Sequence, residues 1–107
     1  MKYRVELTAN AERDVDSALR WFREQHATAA SGRWLNAILA RVDTLERHPA
    51  RCRLANEADE LGIELRELLF GKRHGTYRIL FVIEGQMVNI LHIRHASRSA
   101  ASHQDLH

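Results

Sequence analysis

At 107 residues, with 45% hydrophobic and 28% charged residues, the chain has room for one packed core and too little for two. A formal net charge of +2 and a pI near 9.1 make only a weak global field, so any polyanion site has to come from local clustering. Cys52 is the sole cysteine, which excludes an internal disulfide and fits a reducing compartment, and no apolar run is long enough to cross a bilayer.

Residues 2–7, KYRVEL, alternate cleanly: Tyr3, Val5 and Leu7 on one side, Lys2, Arg4 and Glu6 on the other. This is a half-buried strand whose charges suit a sheet edge. The chain enters it directly, without the apolar segment of a signal peptide, so a cytoplasmic protein with no membrane attachment is expected. Thr8 then offers an N-cap, with Glu12 in the first turn of the helix it opens. Ala11, Val15, Ala18, Leu19 and Phe22 form that helix's apolar stripe, with Trp21 at its border. The pattern breaks at Gln25-His26. A second helix is predicted from Ala27 or Thr28 to Arg47, with Ala30, Trp34, Ala37, Ile38, Val42 and Leu45 as its stripe. His48-Pro49 ends it, because a residue before proline is pushed out of helical dihedrals. Gly32 is either a weak point of this helix or a close-contact position. The two helices form an antiparallel hairpin.

Residues 50–61 carry neither period and read as a loop in which Glu57, Asp59 and Glu60 gather. Three β-type runs follow, IELRELLF, TYRILFVI and MVNILHI, separated by GKRHG and EGQ, which predicts a three-strand antiparallel meander. The first run changes phase between Leu65 and Leu68, so it either bulges or is buried on both faces near its end. A three-residue loop Glu84, Gly85, Gln86 aligns the apolar faces of the second and third runs and sets Arg78 opposite His92. The expected fold is therefore α+β, in the order β-α-α-β-β-β. One domain spans residues 1–98, and residues 99–107 form a small, polar, flexible tail. The helix pair covers one sheet face, and the other is left open with a cationic, titratable patch.

Several chemistries are absent. There is no Gly-rich phosphate loop, no HExxH and no CxxC, so no nucleotide or zinc fingerprint and no cofactor are expected. His92 and His95, three apart on a strand, point to opposite faces and cannot share a metal. Trp21 and Trp34 sit on helix stripes and read as core residues. Arg51 and Arg53 flank the Cys52 thiol and could activate it, although an incidental cysteine is the plainer reading. The basic group of the C-terminal half carries more. RNA can be cleaved without a metal when its 2′-hydroxyl attacks the adjacent phosphate, provided groups move two protons and cations stabilise the phosphorane. Arg66, Arg78, His92, His95 and Arg98, with Lys72 and Arg73 on the loop and Glu64 as a base, could supply that set. The plain alternative is a solvated face, or one that pairs with an acidic partner.

VELTANAERDV near the start, ELRELLFGKRHGTYRILFVI in the middle and VNILHIRHASR at the end together resemble the RelE/ParE superfamily, toxins of type II toxin–antitoxin systems. The resemblance runs from Tyr3 to Arg98. It implies a small toxin that halts growth when free and is neutralised by a cognate antitoxin protein, whose segments would dock on the helix pair, the sheet edge or the cationic face. RelE-like members cut mRNA on the ribosome with basic residues on the sheet; ParE-like members lack that set and act on DNA gyrase. On the first pattern Arg78, His92 and His95 would be catalytic, and Arg66, Lys72, Arg73 and Arg98 would bind RNA phosphates. No tyrosine follows Tyr77, so His92 or His95 would have to replace the general acid usual there. The segment LTANAERDVDSALRWF reads rather as ParE. Ribosome-dependent mRNA cleavage is the function expected first, with gyrase poisoning without nuclease activity as its alternative and an inert antitoxin-binding remnant as the third.

Overall fold

A computed structural model describes residues 2–72 and 75–97 of the chain. Strand β1 (Arg4–Leu7) leads into helices α1 (Ala9–Glu24) and α2 (Thr28–Asp43). A one-turn helix α3 (Ala58–Leu61) precedes strands β2 (Arg66–Phe70), β3 (Tyr77–Glu84) and β4 (Met87–His95). The α+β class and the element order are those read from the sequence. Arg73, Arg98 and the tail 99–107 lie outside the described residues.

Local chemistry explains the boundaries. Thr8 caps α1 by accepting from the Ala11 amide, and its hydroxyl donates to Ile90 O at 2.8 Å, which ties the helix start to β4. The helix hairpin turns through His26 in the left-handed region, φ 56°. Helix α2 is shorter than expected, because after Asp43 the chain tightens into a 3₁₀ turn, Thr44–Glu46, where Thr44 Oγ1 donates back to Arg41 O. His48 at φ 46° then lets Pro49 begin a second such turn.

The strands are ordered β1-β4-β3-β2. The meander β2–β3–β4 is antiparallel, while β1 joins β4 in parallel and makes the sheet mixed. The β3–β4 turn departs from the expected three-residue loop. Glu84 pairs with Met87 across a two-residue turn whose Gly85 takes φ 61°, a conformation suited to tight hairpins. A bulge then corrects the phase: Phe81 pairs with Ile90 but Leu80 with His92, leaving Leu91 as the extra residue. Ile90 and Ile93, three apart, thereby both join the core under the helices. Arg78 consequently lies across from Arg94, not His92.

One sheet face packs Leu68, Ile79, Phe81, Val88, Ile90 and Ile93 against Ala11, Val15, Ile38, Val42 and Leu45. The opposite face is not open, contrary to expectation. Ala55, Ala58 and Leu61 of the α3 segment cover Leu65 and Leu80 there, with Val82 and Leu91 alongside. Strand β2 keeps a regular register with β3, so its change of phase is burial on both faces: Leu65 serves the second core and Leu68 the first.

Candidate functional site

The α3 segment reaches the sheet through charge as well as apolar contact. Arg78 projects from β3 into the second face, where Nη1 and Nη2 donate to the two Glu57 carboxylate oxygens at 2.8 and 2.7 Å. Its Nε donates to Glu67 Oε1 on β2, and Glu67 Oε2 accepts from Arg53 Nη2 at 2.9 Å. The Arg78, Glu57 and Glu67 side chains are only 13, 5 and 4% exposed. The Glu57 carboxylate raises the Arg78 pKa against the opposing pull of burial, with Glu67 adding to it, so the guanidinium is permanently charged. With each of its three nitrogens turned to a buried carboxylate, the guanidinium is aimed into the fork and not at a passing phosphate.

The other expected site residues go to separate places. His92 sits at the free edge of β4 beyond the end of β1. Its Nδ1–H donates to Asp14 Oδ2 at 2.7 Å, and the same oxygen accepts the Ile93 amide at 2.9 Å. Asp14 on α1 thus supplies the partner that a longer β1 would have given. His95 accepts at Nδ1 from the hydroxyl and amide of Ser97, and its ring meets Tyr77 edge-on at 5.2 Å. Arg66 donates from Nη1 to Cys52 O at 2.7 Å and to Ala50 O at 3.3 Å, at the outer edge of β2. Lys72 is exposed on the loop after β2. No open surface gathers Arg78 and His92, since each is buried against a carboxylate from a different element.

The described residues instead form a cleft of about 630 Å³ between α1, the start of α2 and the ends of β3 and β4. Trp21, Phe22, Trp34, Tyr77 and His95 line it in an unbroken series of rings, with centroids 5.2 to 5.9 Å apart. Trp21 is 56% exposed, so it is not the core residue its helix stripe suggested. Trp34 is half-buried, and its Nε1–H is sealed from solvent with no acceptor among the described residues. A cleft lined by aromatic rings is what a protein segment bearing an apolar side chain would fit.

Sequence reasoning missed the cleft, because its walls come from four elements. It also missed Glu57 and Glu67 as partners of Arg78. A signal existed: Glu67 and Arg78 lie on strands whose neighbours Leu65 and Leu80 demand burial, and a buried charge needs an opposite one. Cys52 is buried, and desolvation raises its thiol pKa despite nearby Arg51, Arg41 and Arg66, so it is not an activated thiol.

The sequence profile described as "ParE toxin of type II toxin-antitoxin system, parDE" matches residues 5–100. A solved chain titled "Chromosomal ParDE TA system from P. aeruginosa" is similar in fold, with a TM-score of 0.71 and 16% identity, over 88% of this chain and 96% of that one. No curated protein sequence matches. No helix among the described residues is long and apolar enough to cross a membrane.

Proposed function

The chain belongs to the ParE toxins of type II toxin–antitoxin systems, and from that premise we propose that it arrests growth by docking on DNA gyrase and not by cutting RNA. An antitoxin is its partner in the family. The observation that carries the choice of mechanism is the Arg78 fork: both carboxylates that hold it are buried, and the Arg78 side chain itself is turned to them and mostly buried. Phosphorane stabilisation needs a cation aimed at the reacting phosphate. Freeing Arg78 for that task would break its ion pairs with two buried carboxylates, Glu57 and Glu67, at a cost of about 3–5 kcal/mol. The ring-lined cleft supports the same reading, because its series of aromatic rings suits the docking of a protein segment.

Induction of the toxin followed by pulse labelling tests this directly. Early loss of thymidine incorporation, with inhibition of purified gyrase in a supercoiling assay, is the expected result. Early loss of methionine incorporation with cut mRNA would overturn it and restore the ribonuclease roles of Arg78, His92 and His95. If neither label falls, the chain is an inert antitoxin-binding remnant. Trp21→Ala, at an exposed position, keeps the fold and should weaken gyrase inhibition.

A further inference from the structure

Five arginines on and around β2 and β3 fall into two sets. Arg53 and Arg78 are neutralised by Glu57 and Glu67. Arg41, Arg51 and Arg66 are not: none forms an ion pair with a described carboxylate, and all three lie near enough to Cys52 to act on its thiol. They come from the end of α2, the 3₁₀ turn at Pro49 and the outer edge of β2, and each is pinned by main-chain carbonyls. Arg41 Nε donates to Leu69 O at 3.2 Å. Arg51 Nη1 donates to Arg47 O at 2.6 Å, and its Nη2 to Thr44 Oγ1 at 3.1 Å. Arg66 uses only Nη1. Both terminal nitrogens of Arg41, and Nε and Nη2 of Arg66, therefore have donors without acceptors among the described residues.

We propose that Arg41, Arg51 and Arg66 form a binding site for the phosphate backbone of duplex DNA. Three unneutralised guanidiniums held in place by the backbone make a preorganised anion surface, and phosphate contacts need only charge and N–H donors. A protein partner would need a cluster of apolar anchors, and the exposed large apolar side chains tied to this set are two leucines, Leu54 bridged to Arg66 and Leu69 whose carbonyl holds Arg41. Single-stranded nucleic acid would need rings on which to stack bases. The exposed aromatic ring among the described residues, Trp21, lines the cleft, and none of the three arginines does. The choice of duplex DNA rests on the gyrase reading, since that target holds DNA. The site would let the toxin touch the DNA and the enzyme together.

The experiment is fluorescence anisotropy of the purified toxin with a labelled duplex of about 20 base pairs. Three neutralised phosphates give a salt slope of about −2.7, so affinity should fall about 40-fold between about 50 and about 200 mM salt. Arg41→Gln removes one contact and should reduce that fall to about 12-fold. In the unaltered toxin, the Nε–Hε resonances of the three arginines should shift on adding duplex, which keeps the test independent of any variant's folding. Absence of duplex binding at low salt overturns the proposal. So does an unchanged salt slope in a folded Arg41→Gln protein, or tighter binding of polyglutamate than of duplex. Neither assay contains gyrase, so failure of the gyrase reading shows in the supercoiling assay and failure of this site shows here.

Discussion

Arg78 and Glu57 meet end-on, two terminal guanidinium nitrogens against two carboxylate oxygens at 2.8 and 2.7 Å, beneath the one-turn helix α3. The contact fastens residues 49–65 to the sheet face that would otherwise be open.

Breaking that fork should therefore unfold the protein more readily. Glu57→Ala leaves a buried guanidinium short of its main partner and should cost about 3–5 kcal/mol in urea unfolding. Arg53→Ala also removes a Glu67 partner, but the Arg53 side chain is 68% exposed, and the loss should stay below about 1 kcal/mol. Equal losses for the two variants would contradict the buried fork.

Asp14 does for β4 what a longer β1 would have done. Asp14→Ala strips the acceptor from the Ile93 amide and from His92, and should cost about 1–3 kcal/mol. Hydrogen exchange at the Ile93 amide is the direct readout, and its protection should collapse before that of Ile79 in the sheet centre. Asp14→Asn keeps a carbonyl acceptor and should lose less.

Cys52 makes stability depend on alkaline pH. Burial raises its thiol pKa above the ordinary 9.0, so between that value and the raised one the native state keeps a proton that the unfolded chain has released. Unfolding then releases a proton, and stability should fall as pH climbs past about 9.0. Denaturation midpoints taken from neutral to alkaline pH should show this decline, and Cys52→Ala should be flatter than the parent over that window. Identical pH profiles for the two proteins would mean that the thiol is solvated.

The two tryptophans report on the cleft separately. Trp34→Phe leaves exposed Trp21 as the sole indole, and emission should move to the red. Trp21→Phe leaves Trp34, whose Nε1 is sealed from solvent, and emission should move to the blue. Adding a protein that occupies the cleft should shift the Trp34→Phe variant back to the blue. A partner that binds without moving it docks elsewhere.

The element order was legible from the chain alone because periodicity is a local property: Tyr3, Val5 and Leu7 alternate, Val15, Leu19 and Phe22 recur at helical spacing, and Thr8 caps where it should. The family resemblance was legible in the same way, as short strand motifs in a given order. What only the tertiary structure decided is the company each charge keeps. A two-residue turn and a bulge at Leu91 moved Arg94, not His92, opposite Arg78. An aperiodic loop folded over the second face and brought Glu57 to the same arginine. Spacing along a strand says which face a side chain leaves from; it cannot say whether water or a carboxylate 21 residues away waits there, because that depends on desolvation settled by the packing of distant segments.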